Sequence, residues 1–420
     1  MTESTPTQST NVPYLDEHGK PQTAKNVTVL NGSSTLLDES QGGWYVAIGV
    51  FTIPNRIKVK GNVHLILSDY ARLLAQQGIT VIAHYGAASD SLTIYAQSTG
   101  LVMGTLEANG DMGHGDKDRW AAGIGGIINE DGGGNQSGKI TINGGKVTVV
   151  GGHFGAGIGG VYSGSGGEIT INNGIVTATG GTLASGIGGG HLGDGGTIVI
   201  NGGTINTTGD YNGAGIGAGR QNSGGNVTIT GGTVNATGGH QAAGIGGGQF
   251  GANGGTLVIT GGTITAAGGD FGAGIGGGVA YEDGQGIGAK VTISGGTVTA
   301  TGGKEAAGIG GGSKGPGGTT TITGGTVTAR STSGGTGIGA GFHAFGGETT
   351  IAGGNVIASG NWAAILSDAA ALTMKAYKYK TNTEPRVPPG DYTYYHAGGT
   401  DKPLVLSPYY RYTEVAQITD

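Results

Sequence analysis

The chain contains no cysteine, which excludes disulfides and thiolate metal sites. Charge is scarce: Asp, Glu, Lys and Arg make up 11% of 420 residues, less than half the roughly 25% of an ordinary soluble domain. The net charge is −6 and no dense Lys/Arg run occurs, so nucleic acid is not an expected partner. No stretch approaches the roughly 18 apolar residues of a membrane span, so membrane insertion is not expected either. Proline numbers only 10 and no Gly-X-Y period runs through the chain, which excludes collagen. The polar start, MTESTPTQST, lacks the basic-then-apolar profile of a secretory signal. A cytoplasmic protein, a virion protein and a surface protein with its signal removed all stay open.

What is abundant is glycine, 99 residues, about one-quarter of the chain against a usual ~7%. Val, Ile and Thr stand between the glycines in a fixed order, so a flexible linker is a poor reading. Gly-Ile-Gly recurs with its isoleucine at Ile124, Ile158, Ile187, Ile216, Ile245, Ile275, Ile309 and Ile338. The intervals are 34, 29, 29, 29, 30, 34 and 29 residues, the self-similarity of a solenoid. One unit, from Gly215 to Gly239, reads GIGAGRQNSGGNVTITGGTVNATGG. Two of its segments alternate with period two, as half-buried strands do. Val227 and Ile229 point one way, Thr228 and Thr230 the other; Val234 and Ala236 oppose Thr233, Asn235 and Thr237. A third, AGIGGG, has one large side chain to anchor it inward.

Three short segments per 29 residues predict an all-β, right-handed parallel β-helix of about nine to eleven coils; a propeller blade needs about 40 residues. The stacked inward columns would be Ile158, Ile187, Ile216, Ile245 and Ile275; Ile142, Ile171, Ile200, Ile229, Ile259, Ile293 and Ile322; and Val147, Val176, Ile205, Val234, Ile264, Val298 and Val327. Residues 1–12 read as a disordered lead-in and 13–120 as an N-terminal cap with irregular first coils. Residues 121–366 are the glycine-rich repeats. Within the first region ARLLAQQ (71–77) fits a short helix or a strand-flanking turn equally. Residues 367–420 read as a tyrosine-rich C-terminal cap that covers the open solenoid end. Its tyrosines could alternatively stack on sugars.

The order GWYVAIGVFTIPNRIKVKGNVHLILSD, GITV, SLTIYAQSTG, the GIGG/GGTVTA repeats and LTMKAYKYKTNT resembles the glycine-rich modules of large surface proteins of mainly Gram-positive bacteria. Those modules are loosely described as carbohydrate-binding, and the resemblance spans about Tyr14 to Ile418. It implies a parallel β-helix at a cell surface or outside the cell, and it transfers no catalytic residues. The glycine motifs alone also resemble the tip adhesins of phage tail fibres.

Chemistry should lie where the coils differ. Five residues before each Gly-Ile-Gly isoleucine stand His153, Thr182, Tyr211, His240, Asp270, Lys304 and Ser333, followed by Phe154, Leu183, Asn212, Gln241, Phe271, Glu305 and Gly334. After the motif come Tyr162, His191, Arg220, Gln249, Val279, Ser313 and Phe342, then Ser163, Leu192, Gln221, Phe250, Ala280, Lys314 and His343. Stacked, these columns would form two stripes bordering a flat glycine floor. Aromatic, amide, His and Arg side chains there suit an oligosaccharide, whose ring faces stack and whose hydroxyls need polar partners. The bland alternative is tolerant loop positions.

The expected ligand set is His153, Phe154, Tyr162, His191, Tyr211, Arg220, His240, Gln241, Gln249, Phe250 and Phe271, with a cell-surface or extracellular glycan as partner. Acidic residues in and near the two longer intervals, Asp116, Asp118, Glu130, Asp131, Glu282 and Asp283, could ligate Ca²⁺ through oxygen. As pairs held ~5–10 Å apart, they could instead cleave glycosidic bonds. No other cofactor is implied, and no nucleophile elbow, P-loop or zinc motif is present. A last option is the outward threonine grid (Thr204, Thr208, Thr233, Thr237, Thr263), which resembles that of ice-binding β-solenoids. Plain β-propensity explains it as well.

Overall fold

The computed structural model describes residues 8–9, 11–84, 86, 88–110, 120–128, 134–251, 253–281, 286–344, 347–361 and 363–366, and the backbone of five C-terminal strands between 369 and 417. It is a parallel β-helix. Each coil contributes one strand to each of three walls, as in Asn226–Ile229 (first wall), Thr233–Thr237 (second) and Ile245–Gly246 (third). Eleven complete coils run from Trp44–Ala47 to Ala363–Leu366. Equivalent residues stack in register: Ile200 pairs Ile229, Ile205 pairs Val234, and Ile216 pairs Ile245.

The three inward columns named above are all buried and belong to one continuous core. Each wall buries alternate residues, so a shift of one residue would turn its apolar set outward. Corners are short because glycine takes backbone that side chains resist. Gly232, at φ +81°, turns the chain from the first wall into the second. Asparagines reinforce the same corner: Asn172 Nδ2 donates to Asn143 Oδ1 (2.7 Å) and Asn201 Nδ2 to Asn172 Oδ1 (2.8 Å).

The coils begin before the glycine-rich repeats. Arg72–Ala75, left open as helix or turn, is a strand of the second wall between Val50–Ile53 and Thr105–Asn109. Ladder pairing on both sides outweighs the helical propensity of Leu, Ala and Gln. Ahead of the coils, Gln8–Ser9 pairs antiparallel with Val27–Thr28, and the hairpin Val12–Leu15/Pro21–Ala24 packs through Val12 and Ala24 on Val46, Ile66 and Tyr95. At the far end, Tyr412–Gln417 pairs antiparallel with Asn355–Ser359 and so ends the parallel stacking of the second wall.

Candidate functional site

Between the second and first walls, the coil through Ile158 makes two tight turns, one on each side of Gly-Ile-Gly. The Gly155 N–H closes the first by donating to the Gly152 carbonyl (3.0 Å), with His153 and Phe154 at its tip. The Gly164 N–H closes the second on Val161 (2.6 Å), with Tyr162 and Ser163 at its tip. The same pair recurs in the following coils, for example on Asp210/Gly213 (2.8 Å) and Gly190/Gly193 (2.8 Å).

The two turns do not flank an open glycine floor, as the sequence suggested; they close over it. From His191 onward, the first residue at the tip of the second turn donates its N–H to the first-turn carbonyl of the preceding coil. His191 bonds Phe154 (3.1 Å), Arg220 bonds Leu183 (3.0 Å), Gln249 bonds Asn212 (3.0 Å) and Ser313 bonds Phe271 (2.9 Å). This outer ladder leaves Gly155–Val161, and their equivalents in later coils, buried. Glycine permits it, because a Cβ on Gly248 would stand 2.9 Å from the Asn212 carbonyl. The variable side chains therefore converge on a single ridge above the third wall.

Within that ridge the expected residues fall into three patches. Phe154 touches His153, Tyr162 and His191 with ring centroids 3.9, 5.8 and 4.7 Å away, and Trp120 meets it edge-on at 4.7 Å. Tyr211 stacks on His240 at 5.0 Å and 5°, and His240 meets Phe271 edge-on at 5.6 Å. Arg220 Nε donates to Gln249 Oε1 (3.0 Å), and Gln249 Nε2 to Gln241 Oε1. The Arg220 guanidinium lies 5.4 Å over Phe250, which meets Tyr281 at 4.7 Å. Trp120, Tyr281 and Asn212 were not in the expected set. Tyr281 escapes alignment because it opens the longer Ile275–Ile309 interval, one place beyond the regular columns.

Two features separate the ridge from ordinary loops. The third residue of a tight turn with left-handed φ is a glycine position by default. Here it carries Ser163, Leu192, Gln221, Phe250, Lys314 and His343 in the second turn, at φ +57° to +71°, and Phe154, Leu183 and Glu305 in the first. A side chain there costs about 1–2 kcal/mol, in a chain with glycine at a quarter of its positions. The second feature is polar atoms that are buried without a partner: both ring nitrogens of His191, Asn212 Oδ1, His240 Nδ1 and Trp120 Nε1. Among the described residues only Thr207 Oγ1 is in the same condition elsewhere. Buried polar groups are normally paired, so their concentration in one ridge requires a reason.

His191 is 9% exposed, and burial, followed by the nearby Arg220 and His153, lowers its pKa to about 4. Between about pH 6.5 and 4 the unfolded chain takes up a proton that the folded ridge excludes. Stability is therefore full above that window and falls as the pH drops through it. Thermal melts at pH 7 and 4.5 should show a loss for the native chain that His191→Phe largely removes. Equal losses in both proteins would contradict this.

The carboxylates considered for Ca²⁺ or hydrolysis, Asp116, Asp118, Glu130, Asp131, Glu282 and Asp283, lie outside the described residues. Among the described residues no group of three or more His, Asp or Glu could hold a metal ion, and no helix is long and apolar enough to cross a membrane.

Beside the ridge runs a polar groove of ≈ 800 Å³, which the columns above did not include. One bank, Gln136, Ser165, Asp194, Ser223 and Asn253, recurs at 29 or 30 residues, and Ser165, Asp194 and Ser223 stand two places after the left-handed turn residues Ser163, Leu192 and Gln221. The period was present in the sequence, but Ser, Asp and Asn beside glycine read as routine turn formers.

Seven segments, residues 140–167, 169–191, 198–220, 227–249, 257–279, 291–313 and 321–342, match the family described as Beta helix repeat. Comparison with curated proteins and with solved structures gives no match. The repeat match and the in-register walls agree: the chain is a parallel β-helix repeat protein.

Proposed function

We propose that this protein is a non-enzymatic recognition module that binds a glycan at a cell surface or outside the cell, through the ridge above the third wall. The observation that carries the reading is the row of side chains held at left-handed turn positions where glycine would cost less. A ligand that needs those side chains supplies the reason for keeping them. The chemistry of the ridge fits a sugar. Tyr211, Phe250, Phe271 and Tyr281 offer ring faces and edges, while Arg220, Gln241, Gln249 and His240 stand beside them as donors and acceptors. The surface module and the phage adhesin both follow from such a site, differing only in the particle that carries it.

The test is a glycan array followed by titration of the best ligand against Tyr211→Ala and Arg220→Ala. Both should weaken binding tenfold or more, about 1.4 kcal/mol. Unchanged binding in both variants, or no bound glycan, would refute the reading. Release of reducing ends from a polysaccharide, abolished by Asp116→Asn or Glu282→Gln, would replace it with an enzyme. The exposed column Thr204, Thr233, Thr263, Thr297 and Thr326 favours one other reading. Thermal hysteresis at micromolar protein would support ice binding by that face.

A further inference from the structure

We infer that the groove beside the ridge holds one extended polysaccharide chain parallel to the solenoid axis, with about one sugar per coil. The inference rests on the glycan reading and adds to it a second surface and the shape of the ligand.

The groove has two banks with a glycine floor between them. On the ridge side, Asp194, Ser223 and Asn253 are locked to one another. The Ser223 N–H donates to Asp194 Oδ1 (3.1 Å), Ser223 Oγ donates to Asn253 Oδ1 (2.7 Å), and that oxygen also accepts from the Gly255 N–H (2.8 Å). The first bond occupies Asp194 Oδ1 and the other two share Asn253 Oδ1. Asp194 Oδ2 and Asn253 Nδ2 keep no partner among the described residues. Pre-aligned polar atoms of this kind cost a ligand little ordering entropy. On the opposite bank, Thr197, Asn226, Thr256, Lys290 and Thr319 open successive strands of the first wall and stack in strict register. Gly196, Gly225 and Gly255 form the floor, and Ile287 follows Asn253 on the ridge-side bank. A recess of ≈ 310 Å³ that shares Gln136 and Glu168 continues it toward the N-terminal coils.

The period selects the ligand class. Coils repeat at the strand spacing of roughly 4.8 Å, close to the length of one pyranose residue, so an extended glycan meets one polar side chain of the first-wall bank, from Glu168 to Thr319, at each sugar. The lining extends from Gln136 to Thr319, which is about six coils and roughly 25 Å. A nucleic acid strand would require several cations, whereas Lys290 shares the groove with Asp194 and Glu168. An extended peptide binds by adding to a sheet edge. The edges of these walls face along the axis, at the ends of the solenoid, and not into the groove.

The experiment is calorimetric titration of the full chain with cello-, xylo- and laminari-oligosaccharides of two to eight sugars. For the series that binds, Kd should fall at least tenfold between the trimer and the hexamer and level off near six. Asn226→Trp and Thr256→Trp place a bulky ring in the trough from strand positions that face outward. Each should abolish the gain beyond the trimer while leaving the melting temperature within a few degrees. Arg220→Ala, in the ridge, should weaken all lengths alike. Binding that does not grow with length, or that both Trp variants leave intact, overturns the groove and leaves the ridge standing. If no series binds and the array is also blank, the glycan reading fails with it.

Discussion

Gly217→Val is expected to disrupt the solenoid at its centre, lowering stability by at least about 3 kcal/mol. Gly217 has φ +131° in the third wall, a conformation L side chains rarely adopt, and its Cβ would overlap the Gly246 carbonyl of the next coil. Neither neighbour can give way, because the walls are hydrogen-bonded above and below: Ile216 pairs both Ile187 and Ile245. The outer ladder presses on the same segment from outside, with the Gln249 N–H donating to Asn212. Stability in a repeat array is close to a sum of coil and nearest-neighbour terms, so losing one interface uncouples the two halves. Urea unfolding followed by circular dichroism should change from one transition to two, and limited proteolysis should open near residue 217. Thr228→Val, on the outward face of the adjoining wall, should change stability by less than about 0.5 kcal/mol. A Gly217→Val protein with native stability would contradict the stacked-glycine account of the third wall.

The walls were legible in the sequence because two periods coincide. An alternation of two fixes which residues turn inward, and the interval of 29 fixes which residues stack, so Ile229 and Val234 could be placed in their columns from spacing alone. The closure of the turns was not legible. It depends on backbone bonds such as His191 to Phe154, across 37 residues, and on left-handed backbone at Phe154 and Phe250, which no side-chain pattern announces. An open glycine floor was the natural expectation, since glycine shows only that space is needed and not what fills it. Backbone fills it. Side-chain chemistry along the ridge was visible because Tyr211, Arg220 and His240 vary where the scaffold does not. The groove was missed because Asp194 and Asn253 look like any corner residues until both are seen bonded to Ser223.

A second large effect follows from the cost of the ridge. Ser163, Gln221 and Lys314 are exposed and hold φ of +58°, +71° and +59°. Glycine at those sites removes steric strain of about 1–2 kcal/mol each and adds back about 0.5–1 kcal/mol of chain entropy. The triple variant Ser163→Gly/Gln221→Gly/Lys314→Gly should therefore be more stable by about 2 kcal/mol in total. Little packing is lost, the principal contact being Lys314 Nζ 5.8 Å over the Tyr281 ring. If the ridge exists to bind a glycan, that gain in stability must come with a loss of affinity, the exchange expected wherever function holds a strained site.

The measurement that bears most directly on the account is the paired one: the unfolding free energy and the glycan Kd of this triple variant beside the native chain. A higher unfolding free energy with Kd raised tenfold or more is the predicted result. A variant that is no more stable, or that is more stable and binds as well as the native chain, would contradict the claim that these side chains are kept for a ligand.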